Sequence, residues 1–492
     1  MRLKDLLGDL EIVAMKADGE ADVSLVTSDS RQVGPGALFV AVPGFVVDGS
    51  TFIDQALEKG AAVVVSEKPV AREGAPFIQV ADARAALAKL ASAFYGYPAS
   101  KLRLIGVTGT SGKTTTALMI ESILDATGEP AGLIGTIEYR AGSVREIADR
   151  TTPDAVVLQR WFARMVDENV RLAVMEVSSH ALSLKRTAGV PFAAAVFTNL
   201  SRDHFDFHRD FDDYFAAKKM LFDQIDRSKR TAVVNADDAY GRKLIEELGD
   251  AAMTFGTEGS AAIHPAEGFS ISIDGLRGSL ETPIGPIAIE SPLLGAPNLS
   301  NWMAAIGAAI TVGIDRDAIE AGVRNLASVR GRFERVGTSS GRAIIVDYAH
   351  KPDALEKLLH AVRELAPERK VVLVFGCGGD RDAGKRPLMG AIAAKLADTT
   401  ILTSDNPRSE DPLVILREIE AGYSAEGRTD AQIIPDRREA IRKAVDLAGE
   451  KELVVVAGKG HETYQVVGDE ILHFDDREEV EVALRSLEKS AS

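Results

Sequence analysis

Short, continuous apolar runs alternate with segments of helical periodicity along most of the chain. In the first hundred residues these runs are Ala37–Val42, Ala61–Ser66 and Phe77–Val80, with two helical stretches among them. In the middle of the chain they are Leu102–Val107, Arg171–Val177, Ala193–Asn199 and Thr231–Asn235. Runs that are apolar throughout predict strands buried on both faces, which is the pattern of a parallel sheet covered by helices.

The last third of the chain shows the same alternation more regularly. Its predicted strands are Ala343–Tyr348, Lys370–Phe375, Thr399–Ser404 and Glu452–Ala457. The predicted helices between them are Asp353–Leu365, Pro387–Ala397 and residues 412–422. This order predicts a doubly wound, Rossmann-like α/β unit, and ligands are expected at the carboxyl ends of its strands.

Length and turn composition divide the chain into three parts. With 492 residues the chain is too long for a single core, and about three domains are expected. The turn Tyr95–Ser100 has the composition of a linker, and Val329–Glu334 marks a second boundary. We therefore predict an α/β protein with a small N-terminal α/β domain (1–98), a central parallel-sheet domain (99–331) and a Rossmann-like C-terminal domain (332–492).

Composition narrows the class of partner. The formal net charge is −16, from 57 basic and 73 acidic residues, which argues against nucleic acid because binding it needs a broad basic surface. The single cysteine, Cys377, excludes an intrachain disulfide and is typical of a reducing cytoplasm. Acidic residues interrupt the first twenty positions, so no signal peptide is expected. The most apolar stretch, Ala304–Ile314, is too short to span a membrane. We expect a cytoplasmic protein without a membrane partner.

A glycine-rich segment, GVTGTSGKTTT at residues 106–116, joins the predicted strand Leu102–Val107 to a helical segment, Ala117–Ala126. Glycines let backbone amides turn towards phosphate oxygens, and the helix N-terminus adds partial positive charge. Lys113 adds a full charge, and Thr114 offers a hydroxyl to Mg²⁺. A glycine turn without a ligand is the alternative, but Gly-Lys-Thr between strand and helix favours a nucleoside triphosphate site. The central domain is therefore predicted to be of the P-loop type and to bind ATP.

Two polar residues follow predicted strands of the same domain. Glu176 ends the run RLAVMEV, and His204 lies just past another run, within TNLSRDH. A carboxylate and an imidazole near a triphosphate are suited to a divalent metal. A helix-capping acid and a surface histidine are the simpler alternatives. Their shared position at the carboxyl edge of the sheet favours metal.

Other polar clusters are weaker when each is taken alone. Asn298 and Asn301 begin a predicted helix, where they act either as caps or as contacts to a nucleobase or phosphate. Arg332 is either an interdomain ion pair or a clamp on the γ-phosphate. In Asp405-Asn406-Pro407-Arg408 the proline stiffens the loop and directs Arg408, whose guanidinium is suited to a carboxylate. A turn with a solvated arginine is the alternative there.

Taken together and in order, these segments resemble the motif set of the Mur ligases, and they span nearly the whole chain. The segments are GTSGKTTT (109–116), EVSSH (176–180), TNLSRDH (198–204), GAPNLSN (295–301), GRFE (331–334), DYAHKPD (347–353), GCGGDRD (376–382) and GKGHE (458–462). Within the family, the DNPR motif at 405–408 marks the members that add meso-2,6-diaminopimelate rather than L-lysine.

The resemblance implies an ATP-dependent amide-bond ligase of cytoplasmic peptidoglycan synthesis. ATP would phosphorylate the γ-carboxylate of D-Glu in UDP-N-acetylmuramoyl-L-alanyl-D-glutamate, and the amine of meso-diaminopimelate would attack the resulting acyl phosphate. Three domains would then serve three ligands: the UDP-sugar on the N-terminal domain, ATP in the centre and the amino acid on the C-terminal domain. A monomer is expected.

The resemblance also assigns residues to the nucleotide and metal sites. Lys218 matches the family lysine that carries a carbamate, and Lys219 beside it is the alternative on the helix face. Two Mg²⁺ sites are implied, with Thr114, Glu176, His204 and carbamylated Lys218 as ligands. The residues expected to contact ATP are Gly109, Thr110, Ser111, Gly112, Lys113, Thr114, Thr115, Asn298, Asn301 and Arg332.

Two further sets are carried over to the other substrates. The UDP-sugar would meet Ser28, Ser30, Phe45, Val46, Val47, Thr151, Thr152, Ser178 and Arg186. Leu184 stands where some family members have glutamine, so that contact is not expected here. Diaminopimelate would meet Arg386, Asp405, Asn406, Pro407, Arg408, Gly458 and Glu462. The two arginines would bind its carboxylates, and Glu462 would bind the distal ammonium.

Four other functions compete with this interpretation. An L-lysine-adding Mur ligase lacks the DNPR motif, and folylpolyglutamate synthase, from the same superfamily, lacks both DNPR and an N-terminal block with TSDSR. A P-loop ATPase without ligase chemistry would hydrolyse ATP independently of a UDP-sugar. A simple nucleotide-sugar-binding protein would not need Lys113, Thr114 and Glu176 together.

Overall fold

The structure is a computed structural model that describes residues 1–44, 47–337, 342–449 and 451–491. The chain forms two compact units. The first unit contains Met1–His264 and Met303–Gly322. The second unit contains Pro265–Trp302 and Val323–Ser492.

The first unit begins with a five-stranded sheet of order β1-β5-β4-β3-β2, parallel except for the antiparallel pair β1–β5. Its strands are β1 (Ile12–Met15), β2 (Leu25–Thr27), β3 (Ala37–Ala41), β4 (Val63–Ser66) and β5 (Phe77–Val80). Its helices are α1 (Leu3–Leu7), α2 (Ile53–Glu58) and α3 (Ala83–Phe94). Asp82 caps α3 by accepting a hydrogen bond from the amide of Ala85, as expected for an N-cap aspartate.

The same unit holds an eight-stranded sheet of order β13-β12-β11-β6-β10-β7-β8-β9. Its strands are β6 (Arg103–Thr108), β7 (Ala131–Ile134), β8 (Glu138–Ala141), β9 (Val144–Ile147), β10 (Leu172–Glu176), β11 (Phe192–Phe197), β12 (Ala232–Asn235) and β13 (Ala252–Phe255). The helices around it are α4 (Lys113–Ala126), α5 (Ala155–Asp167), α6 (Ser179–Ser183), α7 (Phe211–Lys219) and α8 (Ala239–Leu248).

Strand register brings the predicted phosphate loop and its neighbours to one edge of this sheet. Strands β10 and β11 flank β6 in parallel, with Glu176 opposite Val107 and Phe197 opposite Thr108. Because parallel strands end at the same edge, the segments that follow β6, β10 and β11 lie side by side.

Along the chain, a small antiparallel sheet and two helices follow β13 and precede the C-terminal part. The strands are β14 (His264–Pro265), β15 (Ser270–Ser272), β16 (Gly275–Glu281) and β17 (Ile287–Ser291). The helices are α9 (Gly295–Thr311) and α10 (Arg316–Asn325). The order is β14-β16-β15, and β17 also pairs with β16.

The C-terminal part of the second unit is built on a six-stranded sheet of order β18-β19-β23-β20-β21-β22. It is parallel except for the pair β18–β19. Its strands are β18 (Glu334–Val336), β19 (Ala343–Asp347), β20 (Lys370–Phe375), β21 (Thr399–Leu402), β22 (Gln432–Ile433) and β23 (Glu452–Ala457). A separate hairpin contains β24 (Tyr464–Val467) and β25 (Glu470–His473). The helices are α11 (Pro352–Leu365), α12 (Lys385–Leu396), α13 (Pro412–Ala425), α14 (Arg437–Leu447) and α15 (Asp476–Ala491).

The predicted α/β class is confirmed, and the long apolar runs become buried parallel strands. Helix α4 begins four residues earlier than predicted, at Lys113 rather than Ala117, because Gly112 adopts a left-handed conformation and starts the helix there, and the boundaries of α11, α12 and α13 differ from prediction by one to three residues. The expected linker Tyr95–Ser100 contains a short 3₁₀ turn in which Pro98 and Ala99 are buried. Within the described part of the chain, no helix has both the length and the apolar composition needed to cross a bilayer.

Candidate active site

The loop between β6 and α4 requires glycine at its first position. Gly109 has φ +148°, and a Cβ placed there would lie 1.9 Å from Thr198 Oγ1. Lys113 Nζ donates to the carbonyl oxygens of Gly109 and Thr110, at 2.9 Å each. Lys218 Nζ donates to the same Gly109 oxygen at 2.7 Å. Two lysine side chains that are 105 positions apart in the chain (218 − 113) therefore meet at one carbonyl beside the loop.

The segment that follows β11 braces this loop. Thr198 Oγ1 donates to the carbonyl of Ser111 at 2.7 Å, and the amide of Ser111 donates to Asn199 Oδ1 at 3.0 Å. Thr110 Oγ1 lies 3.2 Å from the hydroxyl of Tyr214. The loop backbone is thus held from a second strand, which preorganises its amides for an anion.

Glu176 lies directly behind the start of α4. Its side chain is 1% exposed, and Oε2 accepts a hydrogen bond from Thr114 Oγ1 at 2.9 Å. Its other oxygen accepts from the amide of Thr136 at 2.7 Å. Carboxylate and hydroxyl are therefore adjacent, as they are in Mg²⁺ sites that complete their coordination with phosphate oxygens and water.

Lys218 is buried on α7 at 1% exposure, and its ammonium lies 4.3 Å from the centre of the Tyr214 ring. Burial, followed by the charge of Lys113, lowers the pKa of Lys218 well below its usual value, and Asp203 opposes this shift. A lowered pKa favours the neutral amine, because desolvation penalises the charged form. The neighbouring Lys219 is one-third exposed and pairs with Glu247.

His204 lies five residues after Asn199, in the segment that follows β11. Its backbone is left-handed at φ 57°, and its Nε2 lies 3.3 Å from Asp203 Oδ2. Its ring lies 4.7 Å from that of His180 and 6.2 Å from that of Tyr214, measured between centres. His208, 2% exposed, shares a hydrogen bond with Ser179 through Nε2 at 2.9 Å. His180 and His208 were not among the expected metal ligands, although His180 stands in the EVSSH segment.

The described side chains supply too few ligand atoms to hold a metal ion by themselves, so a bound phosphate would have to supply the others. Among the described residues, no three histidine, cysteine, aspartate or glutamate side chains gather into a group that would hold an ion. Thr114 and Glu176 supply two hard oxygens, which suits Mg²⁺ bound mainly through phosphate and water. The Lys218 amine is not itself a metal ligand, and only its carbamate would be.

A network of hydroxyls extends this edge of the sheet. Thr152 Oγ1 donates to the carbonyl of Glu176 at 2.8 Å and lies 3.4 Å from Ser178 Oγ. Arg186 Nη1 donates to the carbonyl of Thr152 at 2.7 Å. Thr151 Oγ1 lies 3.0 Å from Thr136 Oγ1. Four residues that the sequence assigned to the UDP-sugar, Thr151, Thr152, Ser178 and Arg186, thus lie in one hydrogen-bonded group, with Thr151 joined through Thr136 and Glu176.

The remaining residues assigned to the UDP-sugar are spread more widely. Ser28 and Ser30 follow β2, and Lys59 Nζ donates to the carbonyl of Ser30 at 2.8 Å. Val47 is 51% exposed. Phe45 and Val46 lie outside the described residues.

Charged residues that the sequence does not predict surround Arg186. Burial, followed by the charge of Arg150, lowers the pKa of Arg186, and Arg84 adds to this effect. Asp154 and Tyr139 oppose the two arginines, so Arg186 lies among charges of both signs. The residues lie far apart in the chain, so no local pattern could reveal them.

In the second unit, the DNPR segment and the GKGHE segment converge. Asn406 Nδ2 donates to Glu462 Oε2 at 3.1 Å, and its Oδ1 accepts from the amide of Val466 at 3.0 Å. Lys459, between Gly458 and Gly460, is fully buried with Nζ at 3.0 Å from Asn406 Oδ1. We call Asp405, Asn406, Arg408, Lys459 and Glu462 the distal pocket.

Arg408 and Arg386 differ in their surroundings. Arg408 is half-buried with φ 53°, and its Nη1 donates to the carbonyl of Gly379 at 2.7 Å. Arg386 is 1% exposed and pairs with Glu410 at 2.8 Å and Glu418 at 2.7 Å. Arg408 is thus the more open of the two arginines, and Arg386 already has two carboxylate partners. Pro407 precedes Arg408 and is buried.

A third cluster in the second unit contains Arg332. Its guanidinium lies 4.8 Å from the centre of the Tyr348 ring, and the His461 ring is 4.9 Å from that ring. Among the buried side-chain atoms described, Arg332 Nε and His461 Nδ1 have no hydrogen-bond partner. Burial, followed by the charge of Arg332, lowers the pKa of His461 to about 4.

Asn298 and Asn301 lie in the first turns of α9 and are buried. Asn298 Nδ2 donates to the carbonyl of Leu294 at 2.9 Å, and Asn301 Nδ2 lies 3.3 Å from Asn298 Oδ1. Both residues lie inside α9 and donate these bonds, whereas an N-cap side chain accepts from backbone amides, so these bonds are local but are not caps, and contact with ATP stays a prediction.

Comparison with known proteins gives a consistent result along the chain. Family models described as "Mur ligase family, catalytic domain", "Mur ligase middle domain" and "Mur ligase, glutamate ligase domain" match residues 22–95, 107–309 and 331–460. The chain is 43% identical over 509 residues to a protein of Geobacter sulfurreducens named UDP-N-acetylmuramoyl-L-alanyl-D-glutamate–2,6-diaminopimelate ligase, with 99% of each chain covered. It is 47% identical over 487 residues to the protein of that name from Gloeobacter violaceus, with 98% of each covered.

Comparison with solved structures shows that the fold is shared with Mur ligases and with related enzymes. A structure titled as a UDP-N-acetylmuramoyl-L-alanyl-D-glutamate–2,6-diaminopimelate ligase superposes with a TM-score of 0.73 at 33% identity, covering 99% of each chain. A folylpolyglutamate synthase of Mycobacterium tuberculosis shares the fold with a TM-score of 0.59 at 19% identity, covering 81% of this chain and 93% of its own. The ordered motifs, the three matched regions and the full-length identity above 40% agree, and the chain belongs to the Mur ligase family.

Proposed function

We propose that this chain is the ATP-dependent ligase that joins meso-2,6-diaminopimelate to UDP-N-acetylmuramoyl-L-alanyl-D-glutamate. Relatives with this name match 98–99% of the chain. The observation that carries the substrate assignment is the distal pocket, where the carboxylates of Asp405 and Glu462 each lie 3.5 Å from Lys459 Nζ and Arg408 ends the same DNPR segment, its amide donating to the carbonyl of Val466. An arginine and carboxylates on these converging segments suit the distal end of diaminopimelate, which carries both a carboxylate and an ammonium.

The chemistry that we propose has two steps. The γ-carboxylate of D-Glu attacks the γ-phosphorus of ATP, so that an acyl phosphate forms and ADP leaves. The neutral amine of diaminopimelate then attacks the acyl carbon, phosphate leaves, and an amide forms with loss of one proton. Both steps place negative charge on phosphoryl oxygens, so positioned cations and amides lower the barrier.

Residues of the first unit would stabilise this negative charge. Lys113 and the loop amides would bind phosphate, while Glu176 and the Thr114 hydroxyl would hold Mg²⁺. When bound, Mg²⁺ would neutralise phosphate charge and orient the γ-phosphate. We also propose that Thr151, Thr152, Ser178 and Arg186 bind the anionic UDP-sugar.

Carbamylation of Lys218 is part of this proposal. Lys218 is buried beside Lys113, and both contact the Gly109 carbonyl. An unmodified ammonium there would repel Mg²⁺. Addition of CO₂ to the neutral amine, with release of one proton, would give an anionic oxygen ligand for a second Mg²⁺. The lowered pKa of Lys218 favours the amine form that this reaction needs.

One assay tests the function. Purified chain with ATP, Mg²⁺ and the UDP-dipeptide should release ADP when meso-diaminopimelate is added, and mass spectrometry should find the UDP-tripeptide. Release with L-lysine alone would favour the lysine-adding alternative. ADP release that does not depend on the UDP-dipeptide would indicate an ATPase without ligase chemistry.

We also propose that the enzyme is cytoplasmic and monomeric. Cell fractionation would test its location, and analytical sedimentation would test its oligomeric state.

A further inference from the structure

Lys459 is a buried cation inside the distal pocket that the substrate assignment does not use. Its side chain is 0% exposed. Its Nζ lies 3.0 Å from Asn406 Oδ1 and 3.5 Å from both Asp405 Oδ1 and Glu462 Oε2. A lysine ammonium is rarely removed from water unless opposite charges surround it. Its three neighbours are all residues expected to bind diaminopimelate.

The backbone on either side is shaped to turn this lysine inward. Gly458 has φ +120°, and its amide donates to the carbonyl of Asp347 at the end of β19. Gly460 has φ +53°, and a Cβ there would lie 2.6 Å from Tyr348 Cβ. Larger residues would be strained or would clash at these positions. The inward direction of Lys459 is therefore fixed by the fold.

The charges of the distal pocket balance only when Lys459 is counted. Asp405 and Glu462 contribute two negative charges, and Lys459 and Arg408 contribute two positive charges. Arg437 also faces the two carboxylates, but its own partner Asp476, at 2.7 Å, neutralises it. Counted over these four side chains the pocket carries no net charge, and Lys459 lies against both carboxylates.

We propose that Lys459 is a positioning residue that determines specificity for the zwitterionic end of the amino acid. This inference rests on the proposed function. The distal end of diaminopimelate has no net charge, whereas the end of L-lysine is a bare ammonium. A neutral pocket with both signs complements the first, and a pocket with an excess negative charge would attract the second. Lys459 also holds Asn406 and Glu462 in place through direct contacts.

The test compares K459M and K459Q, with K443M on the exposed face of α14 as the matched control. Both Lys459 variants should lower the ratio of kcat/KM for meso-diaminopimelate to kcat/KM for L-lysine by about tenfold or more. The loss should lie in KM for diaminopimelate, with KM for ATP and for the UDP-dipeptide within about twofold of wild type. K443M should match wild type in the substrate ratio and in the KM values for diaminopimelate, ATP and the UDP-dipeptide.

A double variant separates charge from packing. K459M/D405N restores a neutral pocket, so its substrate ratio should return towards wild type, although D405N removes a further polar contact. Wild-type-like selectivity in K459Q would overturn the charge argument, because glutamine keeps a donor but not the charge. If neither Lys459 variant folds, D405N alone still tests the idea: its excess positive charge should reduce L-lysine use more than diaminopimelate use.

The outcomes distinguish this inference from the proposed function. If the wild-type chain forms no UDP-tripeptide, the proposed function fails. If it does, and both Lys459 variants keep the wild-type substrate ratio or raise all three KM values equally, the inference about Lys459 fails alone.

Discussion

Lys113 is the residue on which phosphate chemistry depends most directly. Its Nζ lies between the carbonyls of Gly109 and Thr110 at the start of α4, where a helix N-terminus favours anions. We predict that K113A lowers kcat by about 10²–10³-fold, the effect of removing one charge-stabilising group from a transition state. Steady-state ADP release measures this. K243A, on the exposed face of α8, is the control, and near-normal ligation by K113A would remove Lys113 from the mechanism.

Variants of Lys218 test whether a carbamylated lysine takes part in catalysis. We predict that K218A is nearly inactive and that a small carboxylate such as acetate partly restores it, because the carboxylate replaces the carbamate oxygen. The control is K219A, since Lys219 on the same helix pairs with Glu247 instead and should keep its activity. ¹³C NMR after incubation with ¹³C-bicarbonate should show a carbamate carbon in wild type and not in K218A. A bare ammonium at position 218 in the nucleotide-bound enzyme would contradict the proposal.

Arg408 should select meso-diaminopimelate over L-lysine. L-Lysine lacks the distal carboxylate, so its binding would leave the guanidinium without that partner. Losing a desolvated charge-assisted pair costs roughly 2–5 kcal/mol. R408A should therefore reduce kcat/KM for diaminopimelate far more than any residual use of L-lysine, whereas R381A, at an exposed neighbouring site, should not. Equal use of both amino acids by wild type would show that Arg408 is not the selector.

At the scale of elements, a buried ion pair connects helices α14 and α15 to each other and to the C-terminal sheet. Arg437 and Asp476 are both fully buried, with two contacts of 2.7 Å. Arg437 also donates to the carbonyl of Ala457 at 3.0 Å and of Ser404 at 3.3 Å. These carbonyls immediately precede Gly458 and Asp405, so the pair supports the distal pocket from behind.

We predict that R437M destabilises the fold by about 3–5 kcal/mol, because Asp476 is left as an uncompensated buried charge. The double variant R437M/D476L should be more stable than R437M, since it removes both charges together. R438A breaks the exposed pair with Glu479 and should cost no more than about 1 kcal/mol. Denaturant unfolding measures all three, and equal losses in R437M and the double variant would argue against a charge effect.

At the scale of the whole molecule, the boundaries 98/99 and 331/332 remain proposals. All strands of the C-terminal sheet lie between Glu334 and Ala457, so residues 332–492 contain that sheet entirely. Apolar clusters line both of its faces. We predict that residues 332–492 alone show cooperative thermal unfolding by circular dichroism. The control is a segment beginning at 370, which lacks β18 and β19. A gradual, non-cooperative loss of signal from 332–492 would contradict the boundary.

The sequence by itself determined the family, the α/β class and most parallel strands. Runs such as Lys370–Phe375 are apolar throughout because both faces of a parallel strand are buried, so hydrophobicity alone reveals them. Edge and hairpin strands such as β8, β9, β24 and β25 were not predicted, because a half-exposed strand of four residues has no comparable signal. The phosphate loop was visible because its glycines and Lys113 are contiguous.

Only the tertiary structure decided which distant side chains meet. Lys218 reaches the Gly109 carbonyl, Lys459 lies beside Asp405, and Arg386 pairs with Glu410 and Glu418. None of these pairings follows from local pattern, since strand order and register set them. Burial then changes the chemistry, because the cost of desolvating a charge depends on every element packed around it. The sequence therefore names the reacting groups, and the fold decides their protonation and their partners.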